Sequence, residues 1–218
     1  MANLTHRTGI ILNRRNVGAH DRRITFFCVD GKHELRARGT QKFESKLAGS
    51  LEPLTLVEVT TVGGRSGEQV TGSTIRDSFR HLRSSVAKMA AAGLIVSSVD
   101  VTIHGIHDDT VLYRRIRESI VLIQRSTTNR SLFLSVAFGL WNLVALSGYT
   151  PLPDIGRRKK TPVDRLVAVL LQGDPRLMRR IVCSVHTARL CVTAALRQIE
   201  RIAERDVPAE RFFSYALR

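Results

Sequence analysis

Apolar and polar positions change rhythm once along this chain, near Arg76. Before it the period is two, the period of a strand whose side chains point alternately to opposite faces. Ile24, Phe26 and Cys28 share one face of Arg23–Val29, and Thr8–Arg14, Lys32–Arg38, Leu54–Val62 and Glu68–Ile75 read as four more strands. Apolar residues fall on both faces of Leu54–Val62, which predicts burial on both sides or a change of face midway. Asp30-Gly31 and Gly63-Gly64-Arg65-Ser66-Gly67 supply hairpin turns, because glycine tolerates positive φ. Five short strands with glycine turns in so short a stretch predict a small closed barrel of the OB type.

After Arg76 the period becomes helical. Arg80–Val96 carries Leu82, Val86, Met89 and Leu94, and residues 97–109 read as strand or loop. Asp108 and Asp109 precede a helix with Leu112, Ile116, Ile120 and Ile123 at steps of three and four. Acids there suit the positive end of a helix dipole. Ser131–Leu146 is the most apolar helix and should be central, ended by Gly148-Tyr149-Thr150-Pro151. Residues 151–162 read as a loop and Val163–Leu171 as a short helix. From Met178 to Ile202 the spacing predicts one long amphipathic helix, or two with a bend. The expected fold is therefore a two-domain α+β chain, an OB barrel over 1–78 followed by a helical domain over 79–218.

Charge sharpens the picture. Lys and Arg number 34 against 19 acids, a formal net charge of +15. Residues 1–80 hold 13 basic and 8 acidic side chains, hence +5, and the remaining 21 and 11 give +10. The excess is spread over both halves and points to a polyanion partner: nucleic acid, an acidic protein tail or an anionic surface. Cys28, Cys183 and Cys191 form no C-x-x-C pair, so neither a zinc module nor a disulfide framework is expected, and a reduced compartment fits. The N-terminus has no apolar run of signal-peptide length, and 86–96 and 132–146 read as too short or too interrupted to span a bilayer.

The candidate DNA-binding set is Arg14, Arg15, Arg22, Arg23, Arg36, Arg38, Lys42 and Lys46, with Phe43 as a base-stacking platform. OB barrels hold single strands in this way, with cations on phosphates and aromatics under bases. His104, His107 and Asp108 are the one cluster with metal-like spacing, and they read more simply as a polar loop ending in a helix N-cap. No Walker A run or G-x-G-x-x-G is present, so ATP hydrolysis is not expected, and the other histidines are scattered with no Ser/His/Asp or Cys/His spacing, so the chain is read as a non-enzyme. The basic loop Arg157–Lys160 and the interleaved Arg197, Glu200, Arg201, Glu204 and Arg205 read as solvated surface.

One stretch goes beyond composition. Residues 36–59 run from Arg36-Ala37-Arg38-Gly39 through Lys42 and Lys46 to Leu47-Ala48-Gly49-Ser50-Leu51-Glu52-Pro53-Leu54 and into a strand. This order resembles the signature of the bacterial recombination mediator family RecO. Thr8–Leu12, Asp21–Thr25 and Trp141–Tyr149, which ends in Gly-Tyr, resemble its opening strands and central helix. The resemblance implies an OB barrel followed by helices. It implies binding to single- and double-stranded DNA, annealing of complementary strands, partnership with RecR, and contact with the acidic tail of single-stranded DNA-binding protein. Together these steps serve the loading of RecA in the bacterial cytoplasm, at the nucleoid, with no membrane role. A groove formed by Arg125, Arg130, Phe138 and Trp141 is the expected receptor for that tail. The four-cysteine zinc module that many members carry is missing here, so no metal and no cofactor are expected. Two other classes fit the charge: an OB-fold RNA-binding or ribosome-associated protein, and a metal nuclease built on His104, His107 and Asp108.

Overall fold

The computed structural model describes residues 4–41, 45, 47, 49–64, 67–150 and 161–217, Arg179 by its backbone alone. The chain forms two compact units, residues 1–80 with 103–113, and residues 81–102 with 114–218.

The first unit is a closed barrel of five strands: β1 (Leu4–Val17), β2 (Asp21–Cys28), β3 (Gly31–Ala37), β4 (Leu56–Gly64) and β5 (Gly67–Asp77). Their order is β1-β2-β3-β5-β4. The long β1 serves both sides. Gly9 and Ile10 pair with Cys28 and Phe27 of β2 and also with Val57 and Leu56 of β4. A Cβ on Gly9 would lie 2.4 Å from the Phe27 carbonyl oxygen and 2.6 Å from the Phe26 ring, so only glycine lets the strand curl there. Inside lie Ile11, Ile24, Phe26, Leu35, Val57 and Val59, the residues that the period of two places on one face. Each such burial contributes roughly 1.5–3 kcal/mol. Leu56 is also buried, so β4 is indeed covered on both faces where it begins. Among the described residues the barrel closes between β3 and β5 through two parallel pairs, Leu35 with Glu68 and Arg36 with Gln69.

Residues 103–113 return to this barrel. The Lys32 amide donates to the Gly105 carbonyl at 3.0 Å, and the His107 and Asp109 amides donate to the Asp30 and Val29 carbonyls at 3.1 and 2.8 Å. A Cβ on Gly31, at φ +102°, would sit 2.9 Å from both Gly105 O and His107 N. Tyr113 meets Phe27 edge to face at 5.9 Å.

The second unit is helical: α1 (Val86–Thr102), α2 (Thr110–Arg125, from Arg114 onward), α3 (Asn129–Leu146), α4 (Pro162–Leu170), a 3-10 turn (Pro175–Arg179), α5 (Val185–Ala203) and α6 (Glu210–Ala216). α3 packs against α1, α4 and α5. It is buried from Leu132 to Val144, and a Thr128–Ser131 capping box satisfies its first turn. Gly139 is where neighbours come closest: an added Cβ would lie 2.5 Å from Ser119 Oγ and 2.7 Å from Ile95 Cδ1.

Three departures from the sequence-based expectation have physical causes. α1 begins at Val86, with Ser85 as its cap, and runs on to Thr102. Val96, Val99 and Val101 have strand propensity, but all three are buried, and packing outweighs propensity. The helix expected from Met178 to Ile202 is split. Asp174 and Pro175 start a 3-10 turn, residues 181–184 are not helical, and Ser184 caps α5 through the Thr187 amide at 3.0 Å. Finally, α3 is long and apolar enough to cross a membrane by length and composition, although 72% of it is buried inside the protein, as in a core helix.

Candidate nucleic-acid and protein-binding surfaces

The two-residue turn Val29–Asp30 fixes the register of β2 on β3 and places Arg23 opposite Arg36. The β1–β2 pairing places Arg15 opposite Arg23, and the parallel seam places Gln69 beside Arg36. Arg15, Arg23, Arg36 and Gln69 thus form one row across four strands, on the outward face, because directly opposed residues point the same way. Arg38 follows two positions on and is exposed.

Like charges set opposite one another in a sheet destabilise it. Two acids relieve the row in part. Arg36 forks onto Asp21 Oδ2 at 2.8 and 3.2 Å, and Arg23 Nη1 stands 3.4 Å from Glu34. The Gly39 amide and the Arg36 guanidinium hold the Asp21 carboxyl below its ordinary range. Arg15 has no carboxylate partner among the described residues.

Two hollows flank Arg36. One, about 320 Å³, is bounded by Arg36, Arg38, Gln69 and the glycines 63, 64 and 67 of the β4–β5 hairpin. The other, about 390 Å³, is bounded by Val17, Arg23, Glu34, Arg36 and Glu68. The short seam between β3 and β5 leaves this shallow surface, and the glycines keep its backbone reachable. Arrays of guanidinium groups around such a surface suit a chain of phosphates.

Arg14 and Arg22 do not join the row. Both turn to the opposite face and share Glu52, Arg14 through a short contact and Arg22 at 3.9 Å. Lys42, Phe43, Lys46 and the basic loop 157–160 lie outside the described residues. Sequence reasoning missed the row because it is a property of register: the turn expected at Asp30-Gly31 falls at Val29–Asp30, which sets Arg23 opposite Arg36 instead of Arg38.

In the helical unit Arg125 and Arg130 are exposed and line one hollow of about 290 Å³ with Leu122, Leu134, Met178 and Ile181. Phe138 and Trp141, expected beside them, are 1% and 0% exposed. The Trp141 indole donates to the Cys191 carbonyl at 3.1 Å. Those two rings are core, buried because α3 is covered on several sides, and cannot touch a docked partner. A neighbouring hollow of about 480 Å³ has Leu166, Val169, Leu177 and Val182 as its apolar wall and Arg165 and Arg180 on its rim.

His104, His107 and Asp108 are all exposed and do not converge. Asp108 Oδ1 accepts from the Thr110 amide and hydroxyl at 3.1 and 2.7 Å, and His107 Nε2 stands 3.3 Å from Asp109 Oδ2. Among the described residues, the group whose ligand atoms do converge is Cys28, Asp30 and His33. Its signal in the chain is a C-x-D-x-x-H spacing that straddles a hairpin, which neither paired cysteines nor the 104–108 histidines would suggest.

An OB-like barrel with a cationic outer row, followed by a helical unit, defines the class of this chain. Residues 1–79 match the family model for the recombination protein O N-terminal domain. Three relatives are each named DNA repair protein RecO. The protein of Roseiflexus sp. (strain RS-1) is 34% identical over 101 residues, 46% of this chain and 36% of the relative. That of Gloeothece citriformis (strain PCC 7424) is 25% identical over 145 residues, 66% and 51% of the two chains. That of Synechococcus sp. (strain JA-2-3B'a(2-13)) is 27% identical over 163 residues, 69% and 57%. The first 79 residues thus resemble the RecO N-terminal domain, and longer stretches of the chain are similar to proteins of that name. Its matches span between 36% and 57% of the length of these relatives.

Proposed function

We propose that this chain is a bacterial DNA repair and recombination mediator, a binding protein and not an enzyme. It holds single- and double-stranded DNA on the barrel and anneals complementary strands without ATP. The observation that carries this reading is the row Arg15–Arg23–Arg36 across three strands, ending at Gln69. A polyanion lying along it relieves the repulsion that the free protein bears. The relatives' shared name supports the same reading.

The partners follow from the family. RecR joins the barrel-bound DNA, and RecA is loaded as an indirect result, in the cytoplasm at the nucleoid. The acidic tail of single-stranded DNA-binding protein docks on the helical domain, its carboxylates against Arg125 and Arg130 and its apolar end among Leu122, Leu134 and Ile181. The two tasks fall to the barrel unit and the helical unit respectively.

A strand-annealing assay tests the function. Two complementary labelled oligonucleotides should pair faster with the protein present and nucleotide absent, and excess RNA should compete poorly. No acceleration, together with preferential binding of RNA, would establish the RNA-binding alternative in its place.

A further inference from the structure

Cys28, Asp30 and His33 meet where β2 turns into β3. Their ligand atoms all lie within 4.8 Å of one another. Cys28 Sγ is 2.7 Å from Asp30 Oδ1, and His33 Nε2 is 3.3 Å from the same oxygen. Cys28 and His33 are 1% and 3% exposed, and His33 Nε2 is buried without a hydrogen bond. A sulfur, a carboxylate oxygen and an imidazole nitrogen therefore face one another. With a neutral imidazole presenting its Nε2 lone pair, only the thiol brings a hydrogen to share.

The surrounding charges point the same way. Arg7 Nε donates to Asp30 Oδ2 at 3.0 Å and Arg7 Nη1 to Glu68 Oε2 at 2.6 Å. Glu68 Oε1 also stands 4.0 Å from His33 Nδ1. One guanidinium against two carboxylates leaves the cluster one negative charge in excess when the thiol and imidazole are neutral. A divalent ion that displaces the Cys28 proton to solvent brings the sum to zero: two positive charges from the ion and one from Arg7, against Asp30, Glu68 and the thiolate.

We propose that Cys28, Asp30 and His33 bind one thiophilic divalent ion, zinc by its chemistry, at the end of the barrel. Three protein ligands of mixed S, N and O character suit zinc and leave a fourth position for water. Arg7 and Glu68 act from outside, one holding the second Asp30 oxygen and the other facing the second ring nitrogen of His33. The Asp30 side chain is 42% exposed and gives the ion its way in. The bound ion clamps the β2–β3 turn, on which the His107 amide also rests through the Asp30 carbonyl. None of the three ligands belongs to the arginine row, although Glu68 also borders the hollow beside Arg23 and Arg36.

The test uses the full chain, stripped with chelator and titrated with cobalt(II) and then with zinc. One equivalent of cobalt should give a sulfur-to-cobalt charge-transfer band, and one equivalent of zinc should abolish it. Zinc should raise the melting temperature, as any ligand of the folded state does. Cys28→Ser should remove the band and Cys183→Ser should keep it, while Glu68→Gln should weaken binding by about 10–100-fold. The wild-type titration needs no variant to fold. Absence of the charge-transfer band in wild type, or stoichiometric zinc retained by Cys28→Ser, would overturn the proposal.

Discussion

The indole N–H of Trp141 donates to the main-chain carbonyl of Cys191, 3.1 Å away, and so ties α3 to α5 at the centre of the helical unit. Trp141 is the single tryptophan of the chain and has no exposed surface. Its fluorescence therefore reports on this unit alone. Emission should be blue-shifted, resistant to iodide, and unaltered by DNA or tail peptide. Trp141→Phe should destabilise the unit by about 1–3 kcal/mol, because the indole hydrogen bond and part of the buried ring volume are lost. Denaturant unfolding followed by far-ultraviolet circular dichroism measures it.

Cys191 should be chemically silent. Burial pushes its thiol up to about 12, against a smaller opposing effect of the Trp141 hydrogen bond. Burial also raises Cys183, but less completely, and Cys183 lies at the wall of a hollow. A thiol reagent at mildly alkaline pH should label Cys183 first and reach Cys28 and Cys191 only on unfolding. Mass spectrometry of the labelled chain distinguishes the sites, and early modification of Cys191 would contradict its place in the core.

Changing Arg15, Arg23 and Arg36 together to alanine should lower affinity for single-stranded DNA of any sequence. The logarithmic salt slope should flatten by roughly 0.7 for each phosphate that the variant no longer neutralises, about two in all. The free barrel should melt at a similar temperature, since relief of opposed like charges is offset by loss of the Arg36–Asp21 and Arg23–Glu34 pairs. Arg14→Ala with Arg22→Ala should leave the slope nearly unchanged, as both side chains are engaged with Glu52. An equal effect of both sets would extend the DNA path to Arg14 and Arg22 beside Glu52.

Reversing Arg125 and Arg130 to glutamate should abolish binding of an acidic tail peptide at low salt while leaving annealing of naked DNA intact. Reversing Arg165 and Arg180, on the rim of the larger hollow, should have little effect. Fluorescence anisotropy of a labelled peptide decides between the two hollows, and the opposite pattern assigns the tail to the second.

Acid stability of the barrel should depend on two aspartates with opposite signs. The Gly39 amide and Arg36 hold Asp21 below its ordinary value of 3.8, so its contribution is present above that value and lost as pH falls through the lower folded value. Burial raises Asp109 despite His107, so its contribution is present at low pH and lost as pH rises through the raised value. Asp21→Asn should thus make the acid limb shallower, and Asp109→Asn should stabilise the protein near neutral pH. Calorimetry across the acid range compares the two.

Much of the barrel is visible in the sequence. Ile24, Phe26 and Leu35 alternate, and glycines mark the hairpins at 31 and at 63–67, so local pattern and tertiary fold agree. The end of α1 is not visible, because Val96, Val99 and Val101 favour strands in isolation and only the neighbouring helices make them helical. The candidate sites divide along the same line. That cations concentrate in the barrel is a matter of composition. That Arg15, Arg23 and Arg36 align while Arg14 and Arg22 turn away depends on register, which a one-residue slip would invert. Phe138 and Trp141 mislead for a related reason: an aromatic on a nearly all-apolar helix belongs to the core, and only packing says which aromatics reach the surface.

The two parallel pairs that join β3 to β5 have a kinetic consequence. β1, β2 and β3 can form as a local meander and β4 with β5 as a local hairpin, each within microseconds. Bringing Leu35 to Glu68 requires closing the whole intervening loop, and that step comes late because its entropy must be met before the pairing is gained. The last part of the barrel to zip is then the first to unzip, and amide exchange there should be fastest. Arg36 and Gln69 sit on this seam, so a DNA strand bridging them would act as a stitch, slowing the opening of the barrel on which it rests.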